Sequence, residues 1–235
     1  MQRVLIGAIL FFASIAIAGG LFVLTRKDTP KQSNVPYVGG VQVDDNELPK
    51  YVDAIRPDQG WKGKVIPDFS LDDQNGDEVT ASVFDGHVTI STFFFTSCPL
   101  VCPAISGRVY EMTERLKDTD AQFVSFSVDP VHDTVQAARE YADKWGVSDD
   151  RWKFLTGDGE TVTSMLTDTI GFQLATEPDN PIERVDGTTM DNIVHPTHLF
   201  LIGPDRQILG IYVYQSDDQM HDLELRVRSL LRGDN

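Results

Sequence analysis

The stretch that most constrains this chain is a strand that runs directly into two cysteines. Residues 88–95 are largely β-branched or aromatic, ending Phe93-Phe94-Phe95, and Thr96-Ser97-Cys98-Pro99-Leu100-Val101-Cys102-Pro103 follows at once. A run of that length and composition reads as a buried strand, and the small polar Thr96-Ser97 pair ends it. Pro99 and Pro103 are tolerated only in a loop or a first helical turn, so a helix is expected to begin here, with the i, i+4 spacing putting both sulfurs on one face. The N-terminal end of a helix offers unpaired N–H groups and a positive dipole. Both favour the thiolate, the form that attacks disulfides or binds metal. Cys98 and Cys102 are the chain's only cysteines. They cannot build the disulfide framework of a small secreted scaffold.

The rest of the chain supplies partners for that strand. Residues 67–71 alternate like a short strand, Asn75-Gly76 is a hairpin turn, and Glu78-Val79 returns the chain. After the cysteines a helix is expected through Ile105, Val109, Met112 and Leu116, then a strand over 122–128. Asp133 and Gln136 read as a capping box for a second helix with Val135, Ala138, Tyr141, Ala142 and Trp145 on its apolar side, stopping at Gly146. A strand at 152–155, a helix over 160–169 capped by Asp158, and a long polar loop over 176–192 follow. Two strands, 197–202 and 208–214, then precede a closing helix from Asp217, whose buried side is expected to carry Met220, Leu223, Leu225, Val227, Leu230 and Leu231. This order describes an α/β domain with a mixed sheet and helices on both faces.

Ahead of the domain the composition changes twice. Residues 4–24 are apolar or small without a charge, long enough to span a ~30 Å hydrocarbon core, so 1–24 is expected to be an N-terminal transmembrane anchor. A cleaved signal peptide is the competing reading, although the run exceeds a typical apolar core and no clear small-x-small cleavage site follows. Arg3 lies on one side and Arg26 and Lys27 on the other, so flanking charge does not orient the anchor. Residues 25–62 are polar, acidic and rich in Pro and Gly, a tether with local order expected near Tyr37-Val38 and Tyr51-Val52. Residues 63–235 remain for the domain. The net charge of −16 repels phosphate backbones and argues against nucleic acid as a partner.

Four separated segments carry a resemblance. Cys98-Pro-Leu-Val-Cys102-Pro, Ser127-Val-Asp-Pro-x-x-Asp-Thr134, Lys153-Phe-Leu-Thr-Gly157 and a histidine ahead of Leu201-Ile-Gly-Pro-Asp205 together resemble the Sco/SenC family, in the right order and from about Val65 onward. The resemblance implies a membrane-anchored, thioredoxin-like copper protein that assists assembly of the copper centre of cytochrome c oxidase. Its domain would lie on the extracytoplasmic side. The expected partners are the oxidase subunit bearing that copper site and a copper donor or thiol reductase. It also implies that copper is held by Cys98, Cys102 and one histidine, at His195 by position, with His198 as a rival. Val194 stands where the family often has an acidic residue. Pro196-Thr197 is similar to the pair that opens the strand facing the cysteines in thioredoxins, where the X–Pro bond is cis; alternatively Pro196 only starts a strand.

The donor set is consistent with that metal. Two thiolates and an imidazole are soft to borderline ligands that suit trigonal Cu(I), and Cu(II) with an added oxygen ligand, whereas zinc asks for a fourth ligand. Asp129 is either a group that steadies the site from behind or a cap for its loop. His87, His132 and His221 read as surface histidines. A metal-independent thiol–disulfide oxidoreductase, using the same two cysteines on a partner protein, is the alternative function.

Overall fold

The computed structural model describes residues 37–38, 41–42, 61, 63–99, 101–146, 151–184 and 187–233. The expected anchor and most of the expected tether, including Tyr51-Val52, lie outside them. Among the described residues no helix is long and apolar enough to cross a membrane. Within the tether, β1 (Tyr37–Val38) pairs antiparallel with β2 (Val41–Gln42).

The domain opens with a hairpin, β3 (Ser70–Asp72) against β4 (Glu78–Thr80), and a 3-10 turn, Ala81–Phe84. β5 (Thr89–Phe94) follows, then helix α1 (Val101–Arg115), β6 (Gln122–Ser127), α2 (Val135–Lys144) and β7 (Trp152–Leu155). Helix α3 (Gly159–Ser164) continues as a wider π-helical turn over Met165–Ile170, ended by Gly171 at φ 77°. Beyond it lie β8 (Ala175–Glu183), β9 (Thr189–Val194), β10 (His198–Ile202), β11 (Ile208–Val213) and α4 (Asp217–Arg232).

One five-stranded sheet organises these elements, in the order β11-β10-β5-β6-β7. β5, β6 and β7 run parallel, while β10 is antiparallel to both β5 and β11. All six residues of β5 are buried because the strand is central and covered on both faces. Successive side chains point to opposite faces, and the aromatic contacts show the two cores. Phe94 stacks on Tyr141 of α2 at 5.3 Å and meets Phe154 edge-on at 5.3 Å. Phe93 stacks on Phe126 at 5.7 Å, and Phe126 meets Phe69 at 5.4 Å, beside Phe84 of the 3-10 turn. On the Phe94 face α1 reaches α2 through Ser106 and Tyr141, 3.0 Å apart, and reaches α4 through Arg108 and Asp217 at 2.6 Å.

Three local expectations are corrected and one open alternative is decided. Residues 176–192 are not a loop: β8 and β9 form a two-stranded ribbon whose residues are mostly exposed, so no apolar alternation marks it. Its pairing slips between Glu177 and Ile182, which is where Pro178 and Pro181 fall, a position strands allow to proline. The cap of α2 is Thr134, whose side chain accepts the Ala137 N–H at 3.2 Å; Asp133 is turned inward instead. Leu225, expected on the buried side of α4, is 51% exposed. No peptide bond among the described residues is cis, so His195-Pro196 is trans.

Candidate metal centre

The site forms where β5 hands the chain to α1. The Cys98 N–H donates to the Phe95 carbonyl at 3.2 Å, a tight turn that lifts the chain off the strand. Because α1 begins at Val101, Cys102 lies in its first turn and Cys98 in the loop ahead of it. The two sulfurs therefore do not share a helical face as expected. Instead the Cys102 N–H donates to the Cys98 sulfur at 3.3 Å, so the helix start is aimed at that atom. Neither cysteine is in a disulfide.

A buried carboxylate holds this loop. Asp133 is fully buried, and its Oδ1 accepts from the Thr96 N–H at 3.0 Å and from the Thr96 hydroxyl at 2.6 Å. Its Oδ2 accepts from the Ser127 hydroxyl at 2.6 Å, and its carbonyl accepts from Thr156 Oγ1. Asp133 thus ties the residue two before Cys98 to the ends of β6 and β7. Burial raises its pKa above the usual carboxylate range, and the Ser127 and Thr96 donors oppose that without overcoming it. Spacing gave no sign of this role, because Asp133 also fits a helix cap.

His195 arrives from the segment between β9 and β10. β9 ends at Val194 and feeds His195, which is 6% exposed. Its Nδ1–H donates to the Pro196 carbonyl at 3.0 Å, a bond that leaves Nε2 unprotonated. Nε2 lies 3.4 Å from the Cys102 sulfur, whose thiol donates to it, and the ring stands edge-on to Phe95 at 5.6 Å. Burial lowers the imidazole pKa to about 4, the Pro196 carbonyl pulling slightly the other way. Burial drives the Cys102 thiol strongly upward, with the neighbouring Cys98 sulfur adding to it. The expected lowering at a helix start is outweighed at Cys102 by its complete removal from water.

The spacing suits a shared ion. Donor bonds of about 2.3 Å to sulfur and about 2.0 Å to nitrogen, at trigonal angles, would separate the two atoms by roughly 3.7 Å. The observed 3.4 Å needs only a slight opening once the thiol proton is gone. Among the described residues no three His, Cys, Asp or Glu side chains stand ready as a metal cluster; Cys98, whose sulfur accepts the Cys102 N–H, is the thiol that would join Cys102 and His195 in holding one.

The remaining candidates fall elsewhere. His198 opens β10, half-buried, and burial lowers its pKa; it is His195 that meets Cys102. Asp129 holds His132 Nδ1 at 2.9 Å and its carbonyl accepts the His132 and Asp133 N–H groups, a role within its own loop. His87 and His221 are exposed. One contact had no sequence signal at all: the Ser97 hydroxyl donates to the Met190 sulfur at 3.1 Å, bringing the ribbon to the cysteine loop.

The chain is similar to known proteins. The SCO1 protein homolog of Bacillus subtilis is 26% identical over 149 residues, 63% of this chain and 72% of that one. Against the Rickettsia relatives it matches, the chain spans 61–62% of their length. The structure of BsSco, described as a cytochrome c oxidase assembly protein with a disulfide switch, superposes with a TM-score of 0.58 at 24% identity, covering 74% of this chain and 97% of that one. Copper-bound ScoI of Arabidopsis thaliana gives 0.57 at 24% identity over 70% and 99%. These structures share the mixed, thioredoxin-like fold. The SCO1/SenC family model matches residues 57–229, a span that includes both cysteines, Asp133 and His195, and the chain belongs to that family.

Proposed function

We propose that this protein captures copper with Cys98, Cys102 and His195 and passes it to the cysteines of the copper-site subunit of cytochrome c oxidase. Residues 1–24 anchor it in a membrane, 25–62 space it from the bilayer, and the domain from 63 onward works on the extracytoplasmic side. The observation that carries the reading is the 3.4 Å approach of an unprotonated Nε2 to the Cys102 sulfur, with the other ring nitrogen committed to a backbone carbonyl. An imidazole fixed in that tautomer is ready to bind metal without a change of tautomer. Relatives support it: an A. thaliana family structure is described as copper-bound, and BsSco as an oxidase assembly protein.

Capture releases protons, since both sulfurs must bind as thiolates. Transfer follows by ligand exchange, each acceptor thiolate replacing one of this chain's donors. Copper titration of the reduced protein, read by thiolate-to-Cu(II) charge-transfer absorption, tests the reading. A band that His195→Ala abolishes is expected; no band and no retained copper would refute it.

The closeness of the Cys98 sulfur to the Cys102 N–H favours a second reading. Here Cys98, the more exposed thiol at 8% against 0%, attacks an acceptor disulfide as its thiolate. One acceptor sulfur leaves as thiolate, and Cys102 then displaces the second. The acceptor gains two electrons and becomes a dithiol, while this chain becomes the disulfide. His195→Ala separates the two readings, because exchange survives it and copper capture does not.

A further inference from the structure

The four methionines within the described residues divide sharply. Met112, Met165 and Met220 are 1%, 0% and 3% exposed and fill the core. Met190 is different: it is half-buried on β9, with its sulfur 3.1 Å from the hydroxyl of Ser97, the residue next to Cys98. Five residues later the same segment delivers His195 to Cys102. The ribbon of β8 and β9 is not hydrogen-bonded into the main sheet, and a two-stranded ribbon alone is only marginally stable in water. Met190 links it to the cysteine loop.

From this placement we propose that Met190 is a fourth, thioether donor to copper held by Cys98, Cys102 and His195, so that metal capture also fastens the ribbon over the site. The proposal rests on the copper reading of those three residues. A thioether is a soft, neutral ligand that suits Cu(I) and adds no charge to a site already carrying two thiolates. The interaction it gives up is small, because a methionine sulfur is a weak acceptor of the Ser97 hydroxyl. Its unbranched side chain, with three rotatable bonds, lets the sulfur turn from the hydroxyl to a metal beside it without moving the backbone far. Had the position only to fill space, leucine would serve as well, and that is the contrast to measure.

The experiment uses the full chain in detergent, reduced and loaded with one equivalent of Cu(I), against a chromogenic Cu(I) chelator. Met190→Leu keeps the volume and removes the sulfur. It should weaken copper retention roughly tenfold, the scale on which supporting groups act at metal sites, and X-ray absorption should lose about one of three sulfur neighbours. In the unsubstituted protein, methyl NMR should show the Met190 resonance moving on Cu(I) loading while those of Met112, Met165 and Met220 stay. Equal retention and an equal sulfur count in Met190→Leu, or a Met190 methyl unmoved at full loading, overturns the inference and leaves the three-ligand reading intact. If the unsubstituted protein yields its copper as readily as His195→Ala does, the three-ligand reading itself falls and takes the inference with it.

Discussion

Replacing Asp133 tests how the cysteine loop is held. In Asp133→Ala the N–H of half-buried Thr96 loses its acceptor outright, and the Thr96 and Ser127 hydroxyls lose theirs. An N–H orphaned toward the fully buried position of residue 133 costs about 2 kcal/mol and each hydroxyl, which can rotate to another partner, about 1 kcal/mol. Removing the carboxyl also removes the cost of burying it, so the net loss should be about 3 kcal/mol, a large share of a domain's ~5–15 kcal/mol. With a urea slope of about 2 kcal/mol/M, the unfolding midpoint should fall by roughly 1.5 M. Asp133→Asn is the control. Its Oδ1 can accept both Thr96 bonds and its amide can donate to Ser127 Oγ, which already accepts the Asp129 N–H at 3.1 Å, so the loss should stay under about 1 kcal/mol. The sign of the pH effect gives a second check. Because burial raises the Asp133 pKa, the group's contribution is full below the unfolded carboxylate value and declines as pH rises through the folded value. The asparagine variant should therefore gain on the unsubstituted protein as pH rises. An alanine variant within ~0.5 kcal/mol of the unsubstituted protein, or an asparagine variant as damaged as alanine, would show that Asp133 does not hold the loop.

Three further outcomes follow from the site and its surroundings. His195 has a folded pKa of about 4 against an ordinary 6.5, so its contribution is complete above pH ~6.5 and drains away toward pH 4, about 3 kcal/mol in all; urea midpoints of metal-free His195→Asn should lack that slope, and an unchanged slope would contradict the burial account. Cys98, at 8% exposure, should be alkylated well before Cys102 at 0%, and peptide mapping that finds Cys102 modified first would reverse the roles given to the two thiols. A Cβ on Gly159 would meet the Pro130 ring carbon at 2.8 Å, so Gly159→Ala should cost about 1–3 kcal/mol in denaturant unfolding, and a neutral result would show that the β6 loop yields there.

What could be read from the residues is what the chain states locally. The central strand announces itself as an uncharged run of β-branched and aromatic residues, which burial on both faces favours, and β7 over Trp152–Leu155 falls on the residues expected, with Lys153 its one half-buried position at the sheet's edge. The β8–β9 ribbon could not be read this way. Its strands are solvated, so nothing forces alternation, and prolines at the register slip give it a loop's composition. The same difference runs through the site. Cys98 and Cys102 are conspicuous by type, and the family resemblance pointed to His195. The residues that hold them lie far along the chain: Thr96 is tied to Asp133 and Ser97 to Met190 across 37 and 93 positions. A carboxylate that fits a cap and a methionine in a polar stretch carry no local mark of such duty, since their partners are chosen by the sheet order that sets β5 between β6 and β10. That order also explains why one site can join early sulfurs to a late imidazole. β10 must lie against β5 to bury Phe200 on Phe93, 5.6 Å apart, and once it does, the segment entering β10 has to pass the end of β5, where the cysteines begin.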